Sequence, residues 1–164
     1  MKSINVNGTA RTETGKKAAR NIRKTGAVPC NLYGEAKGEN GLPLAKSFTV
    51  TQDELRKLVY TPDIYSVNLN IDGQECKAIM KELQFHPVTD QLLHVDFYEI
   101  TETKPIIMEV PIKLNGLAEG VKAGGKLVLQ MRKLKVRALY NVIPERLIIN
   151  VAHLGLGKTV KVGE

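Results

Sequence analysis

Apolar residues recur at every second position over most of the patterned stretches of the chain, and at helical spacing over two short ones. Between residues 2 and 10, Ile4 and Val6 alternate with polar neighbours, as a half-buried strand requires. Val67, Leu69 and Ile71 alternate up to Asp72-Gly73, and Cys76, Ala78 and Met80 continue the alternation beyond it. Asp-Gly between two such runs predicts a β-hairpin. Strands are also predicted at Val28 to Tyr33, Lys81 to Phe85 and Leu92 to Ile100, the last two joined through His86-Pro87. Farther on, IIMEVPIKL, LVLQMRKLKVRAL and RLIINVAHL read as strands, and the Gly120 to Gly125 run favours turns over a helix. One helix is predicted after Thr51, with Glu54 at capping-box spacing and Leu55, Leu58 and Val59 as its apolar stripe. The other lies between Thr14, a candidate N-cap, and Gly26, a candidate stop. GEAKGENGLPLAKS, from Gly34 to Ser47, carries the Gly, Asn and Pro of an exposed loop.

This pattern predicts a mainly β protein with short helices (α+β). A barrel-like domain over residues 1–100 is followed by a linker at 101–104, where the composition shifts, and by a second, β-rich domain over 105–164. At 164 residues with 43% hydrophobic content, the chain can bury a core.

Charge changes the picture more than composition does. The formal net charge of +7 is unevenly placed. Residues 1 to 24 hold seven Lys or Arg and one acid, residues 25 to 100 hold six and eleven, and residues 101 to 164 hold eleven and five. Two basic regions flanking an acidic one suit a polyanion touched at chosen surfaces. In the first helix Lys16, Lys17, Arg20, Arg23 and Lys24 fall within an arc of about 120° on a wheel of about 100° per residue, while Ala18 and Ile22 project the other way. Lys16 and Lys17 occupy the first turn, where the helix dipole and free N–H groups favour anions; a bound phosphate would resolve that conflict. Charge patterning alone leaves open whether this is a phosphate site or a solvated face.

Other chemistry is weakly signalled. Cys30 and Cys76 form no C-x-x-C, and two thiols without a framework fit a reducing cytosol. The start, MKSINVNG, has no apolar signal-peptide core, and no apolar run reaches spanning length, so a soluble, cytoplasmic protein without membrane contact is expected. His86, His94 and Asp96 lack compact metal-ligand spacing. Alternation puts His94 and Asp96 on one strand face with Leu92, opposite Val95 and Phe97, where they can hydrogen-bond nucleic acid or neighbouring backbone. AHLGLGKT, Ala152 to Thr159, resembles a relaxed phosphate loop, but only VKVGE follows, with a strand's alternation where a helix is needed. Lys133, Lys135 and Arg137 alternate with Leu134, Val136 and Ala138 as a strand with one cationic face. No nucleophile triad or carboxylate pair is present in defensible order, and without Trp and with few Tyr and Phe, base stacking is poorly supported. What remains is phosphate contact and shape recognition of folded RNA. No enzyme activity, cofactor, metal or small-molecule substrate is expected.

Three segments, GKKAARNIRKTGAVPCNLYG, KELQFHPVTDQLLHVDFYEI and NGLAEGVKAGGKL, together resemble the bacterial large-subunit ribosomal protein L25 family in its long two-domain form, the general stress protein Ctc or TL5 group. The likeness covers nearly all of residues 1–100 through a basic G-K-x-A-x-R-x-x-R helix and a Q-x-H-P…H-x-D-F strand pair, and is weaker beyond. It implies a β-barrel-like domain that binds 5S rRNA at its loop E, a cytoplasmic ribosomal location, and contact with the large subunit and its neighbouring proteins. It also implies that Arg11, which leads into the helix, and Lys16, Arg20 and Arg23 on it, beside Lys17 and Lys24, meet RNA backbone or groove edges. Tyr33, Gln84, His86, His94 and Asp96 would form a sheet surface facing the minor groove. Asn21 and Phe85 stand where many relatives carry Arg and are not counted as contacts. Longer family members continue past the position of Glu164, so the chain is either a shortened form or one whose second domain is incomplete. A conditional, ribosome-associated RNA-binding stress factor is the alternative to a constitutive subunit protein.

Overall fold

The alternating stretches of the first hundred residues become strands whose inward side chains fill one core. In a computed structural model, which describes residues 2–34, 45–61 and 63–163, these are β1 (Lys2–Ala10), β2 (Ala27–Tyr33), β3 (Lys46–Thr51), β4 (Tyr65–Ile71), β5 (Gln74–Phe85) and β6 (Leu92–Glu99). Among the described residues they close into a barrel in the order β1-β3-β2-β6-β5-β4. The pairs β1·β4 and β2·β6 are parallel and the other pairs antiparallel. Closure removes the open edges that a sheet of this size would otherwise present. Val6, Val67, Leu69, Val95 and the ring pair Phe48 and Phe97, whose centroids lie 5.8 Å apart, are fully enclosed at its centre. Two helices ride on the barrel, α1 (Lys16–Lys24) and α2 (Gln52–Val59). α2 adds Leu55 and Leu58 to the core, as its apolar stripe requires. The β4–β5 turn has Asp72 at φ 48° and Gly73 at φ 87°, the two positive φ values of a type I′ hairpin, and Asn70 Oδ1 accepts from Gly73 N at 3.0 Å.

Several local expectations give way to tertiary contacts. Thr51 sits at the N-cap of α2 in extended conformation but makes no capping bond, and Glu54 does not reach back to it. The Glu54 carboxylate instead accepts from the backbone N and the side-chain Nδ2 of Asn7, both at 3.2 Å, which ties α2 to β1. At the start of α1 the N-cap is Gly15, at φ 101°, and not Thr14. Gly26, at φ 77°, does end the helix, its N–H donating to Arg23 O. Lys81 to Phe85 is no separate strand but the second half of β5, which kinks at a bulge where Lys81 has no partner between Met80 and Glu82. Leu92 is buried with Val95 and Phe97, not grouped with His94, because Leu93 is an extra residue in β6 and reverses the alternation. The expected loop falls for the most part, at residues 35–44, outside the described residues.

The second half is thinner. β7 (Ile106–Asn115), β8 (Lys133–Ala138) and β9 (Leu147–Asn150) form a sheet in the order β8-β7-β9. The glycine run holds one helical turn, α3 (Glu119–Lys122), where its composition predicts turns alone. Gly120 there donates to Leu154 O at 2.9 Å, and a Cβ on it would meet the Gly155 carbonyl carbon at 2.9 Å, so close backbone approach is what requires glycine. Residues 127–132 precede β8 without strand structure, and 160–163 form no strand despite their alternation. Neither stretch has a pairing strand among the described residues, and alternation without a partner does not make a strand.

A second apolar cluster joins the halves. Ile79 points out of the barrel, in register with Tyr98, and packs with Ile100, Ile106, Met108, Val110 and Ile143. At its margin the Arg146 guanidinium forks onto the Asp63 carboxylate, a contact half-shielded from solvent. Truncating Leu69 to Ala removes a fully buried side chain from the barrel centre and is expected to lower unfolding stability by about 2–5 kcal/mol. Urea titration followed by circular dichroism measures it, and a loss below about 1 kcal/mol would contradict a packed barrel core.

Candidate nucleic-acid interface

α1 buries no residue completely. Ala18, Ala19 and Ile22 rest half-buried toward β2, and Lys16, Lys17, Arg20, Arg23 and Lys24 are all exposed. No acid occupies its first turn, so its N-terminal dipole meets Lys16 and Lys17 without compensation. A side-chain bond adds to this packing. Arg23 Nε donates to Leu93 O at 3.0 Å. Leu93 is the extra residue of the β6 bulge, unpaired with β5 and lying before the β2 register begins at Val95, so its carbonyl needs a partner from outside the ladder.

The next residues of β6 turn outward beside that anchor. His94 Nδ1 lies 3.4 Å from Asp96 Oδ1, with side chains 19% and 21% exposed. Asp96 stands in register between Asn31 of β2 and Glu82 of β5, and Gln84 faces His94. Ser47 Oγ donates to Asn31 Oδ1 at 3.0 Å, extending the polar row onto β3. One step along, Tyr33 and Tyr98 meet edge to face at 5.8 Å, and Lys81 holds its ammonium 5.7 Å and 5.2 Å from their ring centroids. Burial, then the nearby Asp96, Glu82 and Tyr98, push the Tyr33 hydroxyl pKa up, so it remains a proton donor.

His86 and Arg11 are placed differently from the rest. His86 lies just beyond β5, where its backbone pairs with Gln91 and Asp90 and its Nδ1 accepts from Val88 N at 3.3 Å and Thr89 N at 3.2 Å. With Nδ1 occupied as acceptor, the neutral ring carries its proton on Nε2 and can offer that donor outward from the rim of the sheet. Arg11 follows β1 and extends its pairing by donating from its backbone N to Ser47 O at 3.0 Å. Its Nε and Nη1 are enclosed yet have no hydrogen-bond partner among the described residues.

The structure therefore gathers Arg23, His94, Asp96, Gln84 and Tyr33 along one flank, with the other α1 cations beside them and His86 at the edge. Lys81, Tyr98, Asn31 and Glu82 share that flank, and sequence reasoning misses them; the bulge that turns Lys81 over the rings interrupts the alternation that would have placed it. Burial, with Asp96 adding to it, pushes the Cys30 thiol up to about 12, which leaves it an unreactive core residue. Among the described residues no group of three or more His, Cys, Asp or Glu side chains could hold a metal ion, and no helix is long and apolar enough to cross a membrane.

A closed barrel with a cationic helix against its polar flank and a second small sheet defines a two-domain, mainly β class of protein, and its relatives specify the class. The chain belongs to the ribosomal L25p family, whose profile matches residues 6–97, and the profile of the ribosomal protein TL5 C-terminal domain matches residues 105–164. It is 67% identical over 164 residues to a protein of Phocaeicola vulgatus, 64% identical over 169 to one of Bacteroides thetaiotaomicron and 55% identical over 165 to one of Porphyromonas gingivalis. Each is named large ribosomal subunit protein bL25, and each alignment covers 100% of this chain and 83% of the relative. The chain is thus a long-form structural ribosomal protein and not an enzyme, and as a bacterial ribosomal protein its place is the cytoplasm.

Replacing His86 with Ala removes the acceptor that two turn amides share. The expected result is faster hydrogen exchange at Val88 and Thr89 and a stability loss of about 1 kcal/mol, with exchange in β1 unchanged. Unaltered protection at the two amides would show that the imidazole does not hold the turn.

Proposed function

We propose that this chain is a structural protein of the large ribosomal subunit that binds 5S rRNA. Residues 1–100 act as the RNA-binding domain, 101–104 as a linker and 105–164 as a second β-rich domain. Arg11, Lys16, Lys17, Arg20, Arg23 and Lys24 meet backbone phosphates. Tyr33, Gln84, His94 and Asp96, with His86 at the rim, meet groove edges. The name carried by the relatives supports assembly with the large subunit.

The observation that carries the reading is the bond from Arg23 Nε to Leu93 O. It holds a cationic helix rigidly beside a polar strand, so phosphate contact and edge reading are parts of one surface prepared before binding. The wide, shallow minor groove of folded RNA displays 2′-hydroxyls and base edges to such a wall. There the Asp96 carboxylate accepts from a hydroxyl or a guanine amino group, and His94, 3.4 Å away, is oriented by it.

Footprinting on isolated 5S rRNA tests this. Wild type is expected to protect an internal loop, and the Arg20→Ala/Arg23→Ala variant to bind more weakly, with the slope of log affinity against log salt reduced by about 0.7–0.9 for each phosphate no longer neutralised. No protection by the wild type would end the 5S reading. Sucrose gradients separate the conditional stress factor from the subunit protein: a constitutive component is present at stoichiometric level in 50S particles during ordinary growth.

A further inference from the structure

The sheet β8-β7-β9 buries one face and leaves the other open. Ile106, Met108 and Val110 of β7 are buried toward Ile79 and Ile100, while Ile107 and Glu109 between them are exposed. Register sets Arg137 beside Ile107, Lys135 beside Glu109 and Lys133 beside Pro111, so the three β8 cations stand in a row on the open face. All three are exposed, and Lys113, two residues beyond Pro111 on β7 and opposite Ile148 of β9, continues the same face. Glu109 is the acid among them, its Oε2 4.0 Å from Lys133 Nζ. Lys113, Lys135 and Arg137 have no side-chain partner among the described residues.

Alternate side chains on a strand stand about 6.6–6.8 Å apart, close to the separation of successive phosphates along a nucleic-acid strand. A row of like charges at that spacing, with so little compensation, raises the local potential and favours a polyanion. Lysines on an edge strand also discourage unwanted strand pairing, but edge protection requires only charge of either sign. The sheet packs through Ile106, Met108 and Val110 on Ile79 of β5 and Tyr98 of β6, and none of its four cations belongs to α1 or to the strand that bears His94 and Asp96. The two surfaces are thus carried on different elements of the fold, and each can be altered without touching the other.

We propose that the open face of the second sheet, through Lys113, Lys133, Lys135 and Arg137, is a second RNA contact that holds the phosphates of a separate stretch of ribosomal RNA. The inference rests on the ribosomal reading above, though not on which RNA faces α1. Large subunits prepared without this protein are rebound with full-length wild type, with Lys133→Glu/Lys135→Glu/Arg137→Glu, or with Lys135→Gln/Arg137→Gln, and footprinted with hydroxyl radicals. Charge reversal preserves edge protection, and the milder pair serves if the triple variant does not fold, as judged by its melting transition. The expected result is at least a roughly tenfold loss of affinity for the triple variant and loss of one set of backbone protections, with those dependent on Arg20 and Arg23 retained; log affinity should fall less steeply with salt, by about 0.7–0.9 per phosphate released. Unchanged affinity and protections would overturn the proposal, and so would simultaneous loss of every protection. If the wild type protects no 5S nucleotide while protections dependent on β8 persist elsewhere, the 5S reading fails and this one stands.

Discussion

Strand β6 is the constraint on which the rest of the molecule hangs. Hydrogen-bonded between β2 and β5, it closes the barrel, and its inward Val95 and Phe97 are fully buried in the core. Its outward His94 and Asp96 form the polar wall, its bulge at Leu93 leaves a carbonyl for Arg23, and its end runs into Ile100, where the second apolar cluster begins. Core, interface and junction therefore share one set of backbone bonds. A slip of one residue in β6 would exchange wall and core side chains at once, so the pairing that stabilises the barrel also determines which polar groups face outward.

The division of labour along this strand shows how an acidic middle region and a cationic helix share one flank. Asp96 and Glu82 lie side by side on the wall and would repel phosphate there. The cations are carried on a separate element, α1, held alongside by the packing of Ala18, Ala19 and Ile22 toward β2 and by the bond from Arg23 to Leu93 O. Cations and outward polar groups are thus held on separate elements, and Lys81, drawn over two tyrosine rings, offsets part of the acidity of the wall. The second sheet repeats the separation on a larger scale, with apolar residues on its buried face and cations on the open one.

Much of this is legible in period and turn chemistry. The first strand, the Asp72-Gly73 hairpin, the stripe of α2, the amphipathic α1 with its stop at Gly26 and the cationic side of β8 all follow from residue order, because each depends on neighbours within a few positions. The failures share a physical origin. The capping box at Thr51 loses its glutamate to Asn7, which is distant in sequence and adjacent in space. Leu92 is displaced from its expected face by a bulge, which arises from the register of a partner strand and leaves no local mark. Gly120 has the composition of a turn former, yet its role is to let the backbone at Gly155 approach.

The sequence by itself determined that this is a mainly β protein with a cationic helix, and which side chains could serve an RNA surface, since periodicity and charge are local properties of the chain. Tertiary structure alone decided that the helix and the His94 to Asp96 strand form one wall, that His86 caps a turn at its rim and that Tyr98 and Lys81 join it. Those outcomes depend on barrel closure and strand register, which are settled by the packing of residues far apart in the chain.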